Sequence, residues 1–115
     1  MKIFTFIYLS LFSLCSYATS DFELGKQLYS MQDKGGCVNC HGSTGSEPLI
    51  STYPKINGQS EEYLVSQLLA FSNKTRKSGL YPLMELVIDE YTVEEIKLIA
   101  LYLSKVDSES SDSNK

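Results

Sequence analysis

The chain has 115 residues and a formal net charge of −4, with 14 acidic side chains against 10 basic ones. That length accommodates one domain, small enough for its hydrophobic core to be marginal on its own. The acidic balance argues against a nucleic-acid role.

The chain opens on a pattern that reads as a secretory signal peptide over residues 1–18. Lys2 supplies the positive start, and Ile3 to Leu14 is an apolar run broken only by Thr5, Ser10 and Ser13. Ser16 and Ala18 set small residues at the positions before a cleavage point. The apolar run is short for a bilayer span, and an uncleaved anchor is the alternative. Cys15 follows Leu14, which is not the small residue that a lipid-attachment signal wants. Residues 19–106 then form the folded domain.

Ser20-Asp21-Phe22-Glu23 fits a capping box, so a helix starts here. Phe22, Gly25, Leu28 and Tyr29 recur at helical spacing. Glycine is a poor helix former, so Gly25 points either to the close passage of another helix or to simple tolerance. Gly35-Gly36 ends the segment.

Cys37-Val38-Asn39-Cys40-His41 follows. A histidine directly after C-x-x-C is the signature of covalent c-type haem attachment. Each thiol adds across one vinyl group, and the two intervening residues let a turn of chain span both. His41, the only histidine, then emerges where an imidazole nitrogen can bind iron. Other readings stand beside this one. A redox dithiol wants a βαβ pattern, which is not visible. A closed zinc site wants four ligands, and no second C-x-x-C appears. A plain disulfide would close a small, strained ring. No internal repeat appears, so one haem is expected. A large apolar cofactor would also complete the small core.

Gly42 to Gln59 is rich in turn residues and reads as a loop wrapping the cofactor. Ser60 caps a second helix running to about Asn73, with Leu64, Leu68 and Phe71 on its apolar face. Lys74, Arg76 and Lys77 form a basic loop, either a docking patch for an acidic partner or an ordinary solvated stretch. Leu80 to Val87 is apolar but broken by Pro82, which argues against a helix. It carries Met84, the methionine best placed to give a second axial donor; an open or lysine-ligated iron is the alternative. Thr92-Val93-Glu94-Glu95 is another capping box. It starts a last helix with Ile96, Ile99, Ala100, Leu103 and Val106 in one stripe. Residues 107–115 are serine-rich and charged, and read as a disordered acidic tail.

The order of parts resembles class I cytochrome c, over roughly Ser20 to Val106. The likeness rests on Cys37 to Gly42, Pro54-Lys55-Ile56-Asn57-Gly58-Gln59, Tyr63-Leu64 to Gln67-Leu68, Leu83-Met84 and Ile99 to Leu103. It is closest to small bacterial types, including halves of dihaem cytochromes and the haem subunits of flavocytochromes. The resemblance implies an all-α fold of helices and loops around one covalently bound haem c. It matches Cys37 and Cys40 to the thioether positions, and His41 and Met84 to the axial iron ligands. Pro54 matches the proline whose carbonyl accepts a hydrogen bond from the proximal imidazole. Gly25 and Tyr29 match a helix crossing with Ile99 and Tyr102. The stretch Phe71-Ser72-Asn73-Lys74 departs from the aromatic-Arg-x-Gly of the bacterial relatives. Arg76, Tyr53 and Tyr81 are therefore only candidates for holding the propionates.

The expected function is that of an exported, periplasmic single-haem electron carrier, not an enzyme. Its partners would be a protein donor and acceptor, with a flavoprotein or oxidase among the possibilities, and no nucleic acid. Membrane contact would be transient or through an uncleaved signal. The alternatives are a haem subunit of a larger oxidoreductase, a haem sensor with an open iron, and a thiol oxidoreductase.

Overall fold

The computed structural model describes residues 18–112 and is helical, with no strand among them. Residues 1–17, most of the expected signal peptide, lie outside the described residues. Five α-helices follow in order: α1 (Asp21–Tyr29), α2 (Val38–His41), α3 (Glu61–Ser72), α4 (Tyr81–Ile88) and α5 (Val93–Asp112). A short 3₁₀ turn, Gln32–Lys34, separates α1 from α2.

The caps are where the sequence puts them. Ser20 Oγ accepts from the Glu23 amide at 3.2 Å, and Ser60 Oγ from the Tyr63 amide at 3.2 Å. At α5 the box is reciprocal: the Glu95 amide donates to Thr92 Oγ1 at 3.2 Å, and the Thr92 amide to Glu95 Oε2 at 2.9 Å. Each bond satisfies an amide that the helix itself leaves without a partner.

Packing is organised by α5, whose Ile96, Ile99, Ala100, Leu103 and Val106 are all buried. It packs on α1 and on α3, and α3 packs on α4. The crossing with α1 depends on Gly25. A Cβ there would sit 2.1 Å from the Leu98 carbonyl oxygen and 2.9 Å from Tyr102 Cβ. The Tyr29 and Tyr102 rings meet at 5.3 Å between centroids, and Phe22 and Tyr102 at 5.2 Å. Close passage of another helix, not tolerance, therefore accounts for the glycine.

Three boundaries differ from the sequence reading. The first helix stops at Tyr29, and the 3₁₀ turn carries the chain to Gly35 and Gly36, both at positive φ. The stretch holding Met84 is a helix, α4. Pro82 falls in its first turn, where the missing amide costs no helical bond. Finally, α5 stays helical to Asp112 where a disordered tail over 107–115 is expected; residues 113–115 lie outside the described residues. Residues 107–112 contain neither glycine nor proline to end it.

Candidate functional site

The cysteine motif folds into one helical turn. Cys37 caps α2, and its carbonyl accepts from the Cys40 amide at 3.2 Å and the His41 amide at 3.0 Å. Residues three and four apart on a helix share a face, so Cys40 and His41 both lie on the side of Cys37, about 60° to one side of it and about 40° to the other. The thiols are half-buried and are not joined to each other. Burial pushes the Cys37 thiol up to about 11, against an opposing hydrogen bond with the Tyr91 hydroxyl. A redox dithiol needs the reverse, a thiol lowered toward thiolate. Among the described residues, no group of three or more His, Cys, Asp or Glu side chains could hold a metal ion, which speaks against the zinc reading.

The chain leaving the motif is held from both flanking helices. The Tyr29 hydroxyl donates to the Gly42 carbonyl, and the Tyr102 hydroxyl to the Ser43 carbonyl at 3.2 Å. Burial raises both tyrosines above their ordinary range, so they act as neutral donors. Gly42 itself has φ 83°, and a Cβ there would lie 2.3 Å from the Glu47 carbonyl oxygen. The loop then folds back through the Leu49 amide to Cys40 oxygen at 3.1 Å and the Ile56 amide to Gly45 oxygen at 2.8 Å. That fold brings Pro54 over the histidine.

His41 is buried, and its ring Nδ1 is 2.8 Å from the Pro54 carbonyl oxygen. A carbonyl only accepts, so Nδ1 carries the proton. Burial pulls the imidazole below its ordinary pKa, with the Pro54 bond opposing. The ring is therefore neutral, and Nε2 keeps a free lone pair.

A cavity of about 410 Å³ opens beside this ring. Cys40, His41 and Pro54 line it on one side. Leu64, Leu68 and Phe71 come from α3, Leu83, Met84 and Val87 from α4, and Leu103 from α5. An adjoining space of about 40 Å³ is lined by Cys37 and again by Cys40, His41 and Met84. All five residues singled out from the sequence thus line one or both of these spaces, which share Cys40, His41 and Met84: Cys37, Cys40, His41, Pro54 and Met84. The volume suits a cofactor, the walls are mostly apolar, and imidazole and thioether are the donors that haem iron takes. The residues fit a covalently bound haem.

Arg76, Tyr53 and Tyr81 also line the cavity. Arg76 Nη1 donates to Gln67 Oε1 at 3.0 Å, Nε to Ser78 Oγ at 3.0 Å, and the guanidinium lies 4.8 Å from the Phe71 ring centroid. The basic loop is not a free patch. Lys74 pairs with Asp89 at 2.7 Å and Lys77 with Glu85 at 2.5 Å, so both lysine charges are neutralised within the chain. Sequence reasoning did not find these pairs, nor the two tyrosine hydroxyls that pin the motif's exit. Tyr29 stands out in the sequence as an apolar helical position and as part of the expected crossing with Tyr102, and nothing local marks its carbonyl partner.

The Cytochrome c family model matches residues 22–107. Cytochrome c-554(548) of Halomonas halodenitrificans is 40% identical over 74 residues, covering 64% of this chain and 88% of that protein. The cytochrome subunit of sulfide dehydrogenase of Chlorobaculum tepidum is 39% identical over 70 residues, 61% of this chain and 59% of that one. Cytochrome c-552 of Acidithiobacillus ferridurans is 36% identical over 70 residues, and this chain spans only 28% of its length.

Proposed function

Because this chain belongs to the cytochrome c family, we propose that Cys37 and Cys40 are its thioether attachment points and that His41 and Met84 are its axial ligands. The family carries covalently bound haem c and works as an electron carrier rather than a catalyst, with redox proteins as partners. Bound haem supplies a one-electron iron couple. The chain supplies the rest. His41 offers Nε2 because Pro54 holds the proton on Nδ1. A fixed acceptor at that place orients the ring and strengthens its donation. Met84 offers a soft thioether from α4, which favours the reduced state. The apolar walls keep water away and disfavour the extra charge of the oxidised site.

One observation carries this reading: His41 and Met84 line the same cavity, with Cys40 at its edge. With two protein donors, no position is left for a substrate, which sets the electron carrier above a sensor or catalyst. The signal-like residues 1–18 and the thiol chemistry of attachment support export and a periplasmic location. The likeness to a sulfide dehydrogenase cytochrome subunit supports a second reading, a haem subunit of a larger oxidoreductase such as a flavocytochrome.

The test is the visible spectrum of the exported protein, oxidised, then reduced, then in pyridine and under carbon monoxide. Sharp reduced bands, a thioether-type pyridine spectrum and no carbon monoxide shift are expected. A carbon monoxide shift would keep the haem and remove Met84 as ligand. Absence of haem, from a host able to attach it, would return Cys37 and Cys40 to thiol chemistry.

A further inference from the structure

The helix that carries Met84 packs on the core through Tyr81, Met84 and Val87, which are only partly buried. It has no side-chain N-cap bond, and Ile88 is its one buried residue. Leu86 faces solvent, at 71% exposure, while Leu83 lines the cavity. The segment before it is, by contrast, firmly tied to α3. The Thr75 and Arg76 amides both donate to the Ala70 carbonyl, at 2.8 and 3.1 Å, and Arg76 reaches Gln67. From this anchored segment, two lysines reach forward onto α4. Lys74 holds both carboxylate oxygens of Asp89, the C-cap, at 2.7 and 2.8 Å. Lys77 pairs with Glu85 and lies 4.6 Å from the Tyr81 ring centroid, one turn earlier. Lys74 does so from φ 63°, the only non-glycine positive φ among the described residues. A lysine backbone resists that conformation.

We infer that Lys74 and Lys77 are positioning residues for the axial thioether: their ion pairs clamp α4 against α3 and set how often Met84 leaves the iron. This rests on Met84 being a ligand. The pairs are unequal. Glu85 is 16% exposed and Lys77 49%. Removing the lysine strands a covered carboxylate, whereas removing the carboxylate leaves a solvated lysine. Asp89 and Lys74 are both about half exposed, and their pair contributes less.

The readout is the rate at which cyanide displaces the sixth ligand of the oxidised holoprotein, together with amide exchange at Val87 and Ile88. Lys77→Gln should speed displacement about fivefold and Lys74→Gln about threefold. Glu85→Gln should act less than Lys77→Gln. Added salt should speed the wild type and leave the Lys74→Gln/Lys77→Gln double variant nearly unmoved. Exchanging the charges in Lys77→Glu/Glu85→Lys should restore most of the slow rate, which a merely bulky role for these side chains would not. The Met84 methyl resonance of the reduced protein separates the two claims. If it is not displaced by the haem ring, Met84 is not the ligand and both claims fall. If it is displaced, yet cyanide rates and amide exchange are the same in every variant, the ligand stands and the clamp is overturned.

Discussion

The Nδ1 of His41 donates to the carbonyl oxygen of Pro54 at 2.8 Å, and that single bond decides which nitrogen of the only histidine faces the cavity. The acceptor is a backbone atom, so no substitution at residue 54 deletes it. What proline adds is a fixed φ. Pro54→Ala should keep the haem and loosen the bond. If half of a typical hydrogen bond, about 0.5 kcal/mol, is lost from the oxidised state, the reduction potential rises by about 20 mV. Voltammetry of the holoprotein checks this; an unchanged potential would mean that proline rigidity contributes nothing to ring orientation.

Gly25→Ala should be the most damaging small substitution in α1. The added methyl meets the Leu98 carbonyl at 2.1 Å, and a backbone atom cannot swing aside as a side-chain tip does. Separating α1 from α5 would disturb the buried Tyr29 and Tyr102 contacts. A loss of about 3 kcal/mol is expected, read as a lower denaturant midpoint of the holoprotein. Gln27→Ala, exposed on the same helix, should change the midpoint little. Equal effects would remove the close approach as the reason for glycine.

Much of this fold is legible in the sequence because its determinants are local. Each cap is read from residues three apart, and the cysteine motif occupies one turn. Gly25, a poor helix former inside a helix, points to a crossing or to tolerance, and the approach of the Leu98 carbonyl decides for the crossing. Pro82 misleads, since a proline is read as a break until its place in the helix is known; at the first turn it is compatible with α4. The lysine pairs are hidden for a different reason. Lys74 and Asp89 are 15 residues apart, and Lys77 and Glu85 eight. The turn that joins them depends on a backbone conformation at Lys74 that lysine disfavours. The tyrosine hydroxyls are more remote still, Tyr102 reaching a carbonyl 59 positions away.

Glu95 gives the chain a pH-dependent contribution at the start of α5. Its hydrogen bond from Lys34, at 2.7 Å, and that of the Thr92 amide hold its carboxyl below the usual carboxylate range. A depressed folded pKa adds stability above the unfolded value of about 4.3, and that stability is lost as pH falls through the folded pKa. Glu95→Gln keeps the shape of the capping box and removes the ion pair. It should cost about 0.5–1 kcal/mol at pH 7, with the gap to wild type closing below about pH 4. Denaturation midpoints across that range provide the check; a gap independent of pH would assign the effect to shape alone.

Met84→Ala should open the sixth position. Met84 is half-buried and lines both the main cavity and the small space beside Cys37, so among the described residues its thioether is the one against that space. Met31 is also half-buried, but it precedes the 3₁₀ turn and lines neither. The reduced Met84→Ala protein should bind carbon monoxide while the wild type does not. Its potential should fall, because the soft donor that favours the reduced state is gone. Truncation should also cost about 2 kcal/mol of stability, toward the low end for Met→Ala because the side chain is not fully buried. Met31→Ala should leave the spectrum unchanged. If Met84→Ala keeps a closed, low-spin spectrum in both redox states, another side chain fills the position. Lys77, held by Glu85 just beside Met84, is then the next residue to replace.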